Sequence, residues 1–194
     1  MAILRRVIKN FYGAPRAFMA MYGANVAGFF WNAGTLMQFI FGMITASPLE
    51  ITSSAFNIAS PCSFLFFGHR NWGVVFGCML GAIGTFLAVY PQILAGENAS
   101  IFGFIAFCAL IQLSIFSRSL TRRFAGSRNA FLRRTLGHPR RTNGIATFFC
   151  VRMPIIFESL THDRWQLAAV FALWAVGDVA YSFSRADVQS KNRK

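Results

Sequence analysis

The sequence predicts an all-α fold, a polytopic transmembrane bundle of about six helices, preceded by a short N-terminal interfacial helix. Three observations carry that prediction. Long apolar stretches recur without charge, the clearest being Trp72 to Tyr90, WGVVFGCMLGAIGTFLAVY. Only 13% of the 194 residues are charged, about half the usual share for a soluble domain, while 55% are hydrophobic. The 19 Lys and Arg outnumber the 6 Asp and Glu, and they gather in the polar connections between apolar stretches. A soluble fold of this length needs a polar surface, and the chain lacks the residues to make one.

Residues 1–16 carry Arg5, Arg6, Lys9 and Arg16 and no acid, with Ile3, Leu4, Val7, Ile8 and Phe11 near one helical face. That suits a helix lying in the headgroup layer. A mitochondrial presequence is the rival reading, since the first acid is Glu50; a cleaved signal peptide fits less well, because the uncharged run from Ala17 to Leu49 far exceeds an h-region. A helix needs about 20 apolar residues to cross a bilayer. The first crossing is expected over Ala24 to Ala46, stopped by Ser47 and Pro48, and the second over Ile51 to Gly68, ended by His69, Arg70 and Asn71. The third is the Trp72 stretch, closing near Pro91. Its Gly73, Gly77, Gly81 and Gly84 recur at spacings of four, four and three, so they share one face and allow a neighbouring backbone to approach. The fourth runs from Ser100 to Phe116, the fifth from Asn143 to Leu160, and the sixth from Trp165 to Ser184. Residues 118–141 form an arginine-rich loop, and 185–194 a polar tail.

Charge placement sets an orientation. With both termini in the cytoplasm, 17 basic residues lie inside and only Arg164 outside, the remaining one, Arg152, falling within the fifth helix. A bacterial inner membrane is the expected location, with the mitochondrial inner membrane as the alternative.

The chain also repeats itself. An offset of 93 residues gives 8 identities in 32 positions, among them Pro61 with Pro154, His69 with His162 and Trp72 with Trp165. With a different offset, Leu36 to Phe39 aligns with Leu110 to Leu113. This divides the chain into a three-helix half over 17–97 and another over 98–184, with 118–141 inserted in the second. Three is odd, so the second half is inverted in the bilayer, a plan recurrent in transporters. A three-helix repeat with a proline in one helix resembles the PQ-loop and SWEET-like sugar carriers. The chain departs from their pattern, since its one Pro-Gln pair, Pro91-Gln92, ends the third helix and no linker helix separates the halves.

Intramembrane charge is costly and usually faces the bundle interior. Arg152 and Asp178, on adjacent antiparallel helices, are expected to form an ion pair or a solute site. Asn32, Thr35, Asn57 and Glu158 are candidates to line a polar cavity, although interhelical packing accounts for the Asn and Thr residues equally well, and Glu158 reads also as an interfacial carboxylate. In the loop, Arg122, Arg123, Arg133 and Arg134 are the expected contacts to lipid headgroups. Nucleic acid is the lesser reading of those arginines. No metal or cofactor is expected: Cys62, Cys78, Cys108 and Cys150 lack C-x-x-C spacing, and His69 and His162 fall on opposite sides of the bilayer. No nucleotide loop or hydrolase motif occurs, so no enzyme is expected. The leading expectation is a small-solute transporter with its site between the halves; the alternative is a scaffold or assembly factor whose arginine loop docks anionic lipid or a soluble partner. A second copy of the chain is a further candidate partner.

Overall fold

The structure, a computed structural model, describes residues 23, 25–67 and 71–183, the side chains of 64–66 and 71 excepted. The expected N-terminal helix over 1–16, His69, Arg70 and the 185–194 tail lie outside the described residues.

Among the described residues the chain is all-helical. Helices α1 (Asn25–Ile44), α2 (Pro48–Phe67), α3 (Asn71–Leu94), α4 (Asn98–Ile115) and α9 (Trp165–Phe183) are five long rods. The sixth rod, Pro139–Thr161, is α7 (Pro139–Thr147) and α8 (Met153–Thr161), joined by a π-helical turn at Phe148–Arg152. Five of the six are long and apolar enough to cross a membrane. The exception is α2, whose apolarity is diluted by Ser53, Ser54, Asn57, Ser60 and Ser63 and whose first turn holds Glu50.

The π turn has a local cause. Pro154 has no N–H to give the Cys150 carbonyl, and its ring crowds that carbonyl, so the backbone widens just before it. Met153 N–H then reaches back five residues to the Phe148 carbonyl. Proline does not end α3 at the expected place either: the helix carries Pro91 within its last turn and continues to Leu94.

Three connections at one end of the bundle are tight, and they close alike. Ser47 N–H donates to Gly42 O at 2.9 Å, Glu97 N–H to Gln92 O at 3.0 Å, and Arg164 N–H to Ser159 O at 2.8 Å. In each case the preceding residue takes the left-handed conformation that such a C-cap needs: Ala46 at φ 51°, Gly96 at 75° and Asp163 at 55°.

At the opposite end lies the arginine-rich connection. Residues 118–141, expected as a loop, hold two short helices, α5 (Ser117–Phe124) and α6 (Ala130–Thr135), and the first turn of α7. Asn129 starts α6 by accepting from Phe131 N–H and Leu132 N–H at 2.9 and 3.2 Å. Leu120, Phe124 and Leu132 are half-buried, while Arg122, Arg123, Arg133 and Arg134 are exposed. The segment thus partly buries these three side chains and leaves the four arginines at its surface.

Sequence neighbours pack side by side: α2 on α3, α3 on α4, α4 on α7 and α8, and these on α9. Helix α1 closes the ring between α2 and α9. The apolar core sits where α3, α8 and α9 meet, with Val89, Val151, Ile155 and Phe171 fully buried.

Candidate functional site

Among the described residues, two polar clusters lie inside the bundle apart from the groups at its connections. The first runs along α2 and α3. Ser53 Oγ donates to Gly84 O at 2.7 Å, Ser60 Oγ to Gly77 O at 2.7 Å, and Ser63 Oγ to Gly73 O at 3.1 Å. Glycine makes these bonds possible by leaving its carbonyl uncovered and letting the helices approach. A Cβ at Gly84 meets Asn57 Oδ1 at 2.3 Å, and one at Gly81 meets Ser60 Oγ at 3.0 Å. From α1, Gln38 Nε2 donates to Ser53 Oγ at 2.9 Å, and Asn57 Nδ2 lies 3.4 Å from Gln38 Oε1. The four glycines of α3 and Asn57 therefore belong to one seam.

The second cluster joins α8, α9 and α1. Arg152, the last residue of the π turn, donates from Nε to Asp178 Oδ2 at 2.8 Å, and both residues are only 6% exposed. The other carboxylate oxygen accepts from Trp31 Nε1 at 3.1 Å. The guanidinium carbon lies 5.0 to 5.6 Å from the ring centres of Trp174, Phe171 and Phe107, so aromatic faces complete the cation's surroundings. Its Nη1 is buried and makes no hydrogen bond. The pair lies about nine residues, or roughly 13 Å, from the Thr161 end of its rod, close to the middle of a bilayer about 30 Å thick.

This second cluster rests on a reciprocal contact that sequence reasoning missed. Trp31 and Gly34 on α1 face Trp174 and Gly177 on α9. A Cβ at Gly34 meets the Trp174 ring at 2.6 Å, and one at Gly177 meets the Trp31 ring at 2.4 Å. Trp174 Nε1 also donates to Trp31 O at 3.2 Å. Each indole thus lies over the glycine of the other helix. The signal was present: W-x-x-G occurs at 31–34 and again at 174–177.

The remaining candidates fall elsewhere. Thr35 is buried but turns its hydroxyl to Trp31 O of its own helix, at 2.9 Å. Asn32 is exposed on the outside of α1. Glu158 reaches from α8 to the start of α4, where Oε1 accepts from Ala99 N–H at 3.0 Å and Oε2 from Ser100 N–H at 3.0 Å. Glu97, at the N-cap position, leaves those donors uncapped, so a carboxylate from another helix caps them and meets the positive end of the helix dipole. Glu97 instead pairs with Arg164. With its amide turned to satisfy both neighbours, Gln92 donates to Val89 O at 3.0 Å and accepts from Arg164 Nη1 at 3.2 Å. Glu158, Glu97 and Arg164 together tie the α3–α4 connection to the α8–α9 connection. His162 directs Nδ1 to Glu158 O at 2.8 Å.

Fold and site together define a multi-pass integral membrane protein, an apolar helical ring with two separate polar clusters inside it. No protein-family model, curated protein or solved structure matches the chain.

Proposed function

We propose that this protein is a non-transporting membrane scaffold or assembly factor whose arginine-rich connector engages anionic lipid headgroups. One observation carries the reading. The polar groups that a solute path requires are split: Asn57 is bonded into the α2–α3 seam, Arg152 and Asp178 are bonded to each other and to Trp31, and Asn32 faces outward. Between the clusters the core is apolar.

The connector supplies the working surface. Among the described residues, Arg122, Arg123, Arg128, Arg133, Arg134, Arg140 and Arg141 form no ion pair with a carboxylate. All but Arg140 are exposed, and Phe116 and Phe131 are exposed beside them. Uncompensated cations flanked by apolar side chains suit an anionic headgroup layer, each basic residue adding about 1 kcal/mol near such a surface. The basic excess orients this end toward the cytoplasm, most simply that of a bacterial inner membrane. No enzymatic step belongs to the proposal.

The test is lipid retention. In nanodiscs of mixed neutral and anionic lipid, the wild type is expected to enrich anionic lipid. The variant with Arg122, Arg123, Arg133 and Arg134 all changed to Gln should lose that preference more than tenfold, given about 1 kcal/mol per basic residue. An unchanged preference overturns the lipid reading and leaves a soluble partner as the connector's target.

A second reading has its own support. The buried, unpartnered Nη1 of Arg152, at mid-depth in a π-helical turn, is what a solute site in a carrier offers. Saturable uptake of a small metabolite into proteoliposomes, abolished by Arg152→Ala, selects transport over the scaffold.

A further inference from the structure

We infer that the outward face of α1 is the docking surface for a second copy of this chain, with Asn32 at its centre. Amides well inside the bundle are otherwise paired. Gln38 bonds Ser53, Asn57 approaches Gln38, and Asn143 Nδ2 donates to Ser114 Oγ at 2.7 Å. Gln92 is satisfied between Val89 and Arg164. Asn32 has no such partner and is exposed. It lies 12 residues before Ile44, about 18 Å along α1 from that end, so its amide sits near the centre of the bilayer. Water is absent at that depth, and an amide facing hydrocarbon loses its hydrogen bonds. Gln112, also exposed, lies three residues from the end of α4 at Ile115, where it reaches the interface.

The neighbours of Asn32 fit a helix of the same kind. One turn earlier is Gly28, where an added Cβ meets nothing within 4 Å, so the surface there is open to close approach. Phe29 and Leu36 flank the pair and are 68% and 56% exposed. A side-chain amide both donates and accepts. Two copies inserted in the same orientation, related by a two-fold axis along the membrane normal, place Asn32 against Asn32 and exchange two hydrogen bonds. A lipid tail offers neither donor nor acceptor. The interface uses neither the arginine connector nor Arg152, so it stands apart from the proposed function.

The test is energy transfer between labelled full-length chains in liposomes, titrated over the protein-to-lipid ratio. The wild type is expected to dimerise. Asn32→Leu should raise the midpoint roughly 3- to 30-fold, the range expected for interhelical side-chain hydrogen bonds. Asn32→Gln should restore most of the association, and Gln112→Leu should leave it unchanged. A wild type monomeric at every ratio, an unchanged midpoint in Asn32→Leu, or an equal loss in Gln112→Leu each overturns the inference.

Discussion

The hydroxyls and amides that join α2 to α3 and α1 are neutral, whereas an ion pair stands where α8, α9 and α1 meet. The seam spreads its polarity over three serine hydroxyls, each on a separate glycine carbonyl. The junction concentrates it in one carboxylate shared between Arg152 and Trp31. Every bond in the seam is small and its neighbours survive its loss. In the junction the members depend on one another, because removing one leaves a charge buried. The repeat alignment sets the two regions side by side, Ala59 opposite Arg152 and Thr85 opposite Asp178, so both charges occur together in one region and neither in the other.

That contrast orders the expected effects of substitution. Asp178→Asn should be the most damaging, since it strands the Arg152 cation among aromatic rings; a loss of about 3–5 kcal/mol is expected from unfolding in mixed micelles. If the loss is below about 1 kcal/mol, the pair is not a desolvated one. Next is Gly177→Val, which drives a side chain into the Trp31 ring and should cost about 1–3 kcal/mol. Gly28→Val, with open space around it, is the control and should leave monomer stability unchanged. Glu158→Gln removes the charge from the cap on α4, expected to cost about 1 kcal/mol. Faster hydrogen exchange at Ala99 and Ser100 checks this, and unchanged exchange rejects the cap. Smallest should be Ser60→Ala in the seam, about 0.6 kcal/mol by the same unfolding assay. A loss there as large as that of Asp178→Asn removes the distinction between the regions.

The sequence shows the bundle well because its signals are local. Absence of charge, run length and the alternation of basic connections each act within about 20 residues, the length the bilayer imposes. The pairing of Arg152 with Asp178 was legible too, since a short connection makes their helices antiparallel neighbours. Contacts between distant elements were not. Glu158 meets the start of α4 only after α4 and α8 have packed, 58 residues apart in sequence. Trp31 reaches Asp178 across 147 residues. Asn32 and Thr35 illustrate the same limit: spacing placed them near one helical face, but the directions of the neighbouring Trp31 and Gly34 decide which side of α1 meets α9. The W-x-x-G pairs at 31–34 and 174–177 were readable as spacing, yet their reciprocity depends on α1 and α9 being antiparallel and adjacent.

The charges at mid-depth hold one another in place, Arg152 bonded to Asp178 with both residues buried. The most direct measurement is the reversible unfolding of the joint variant Arg152→Met with Asp178→Leu, set against each single change. The joint variant is expected to recover most of the stability lost by Asp178→Asn, because neither charge is left buried alone. A joint variant as unstable as the sum of its single changes contradicts it.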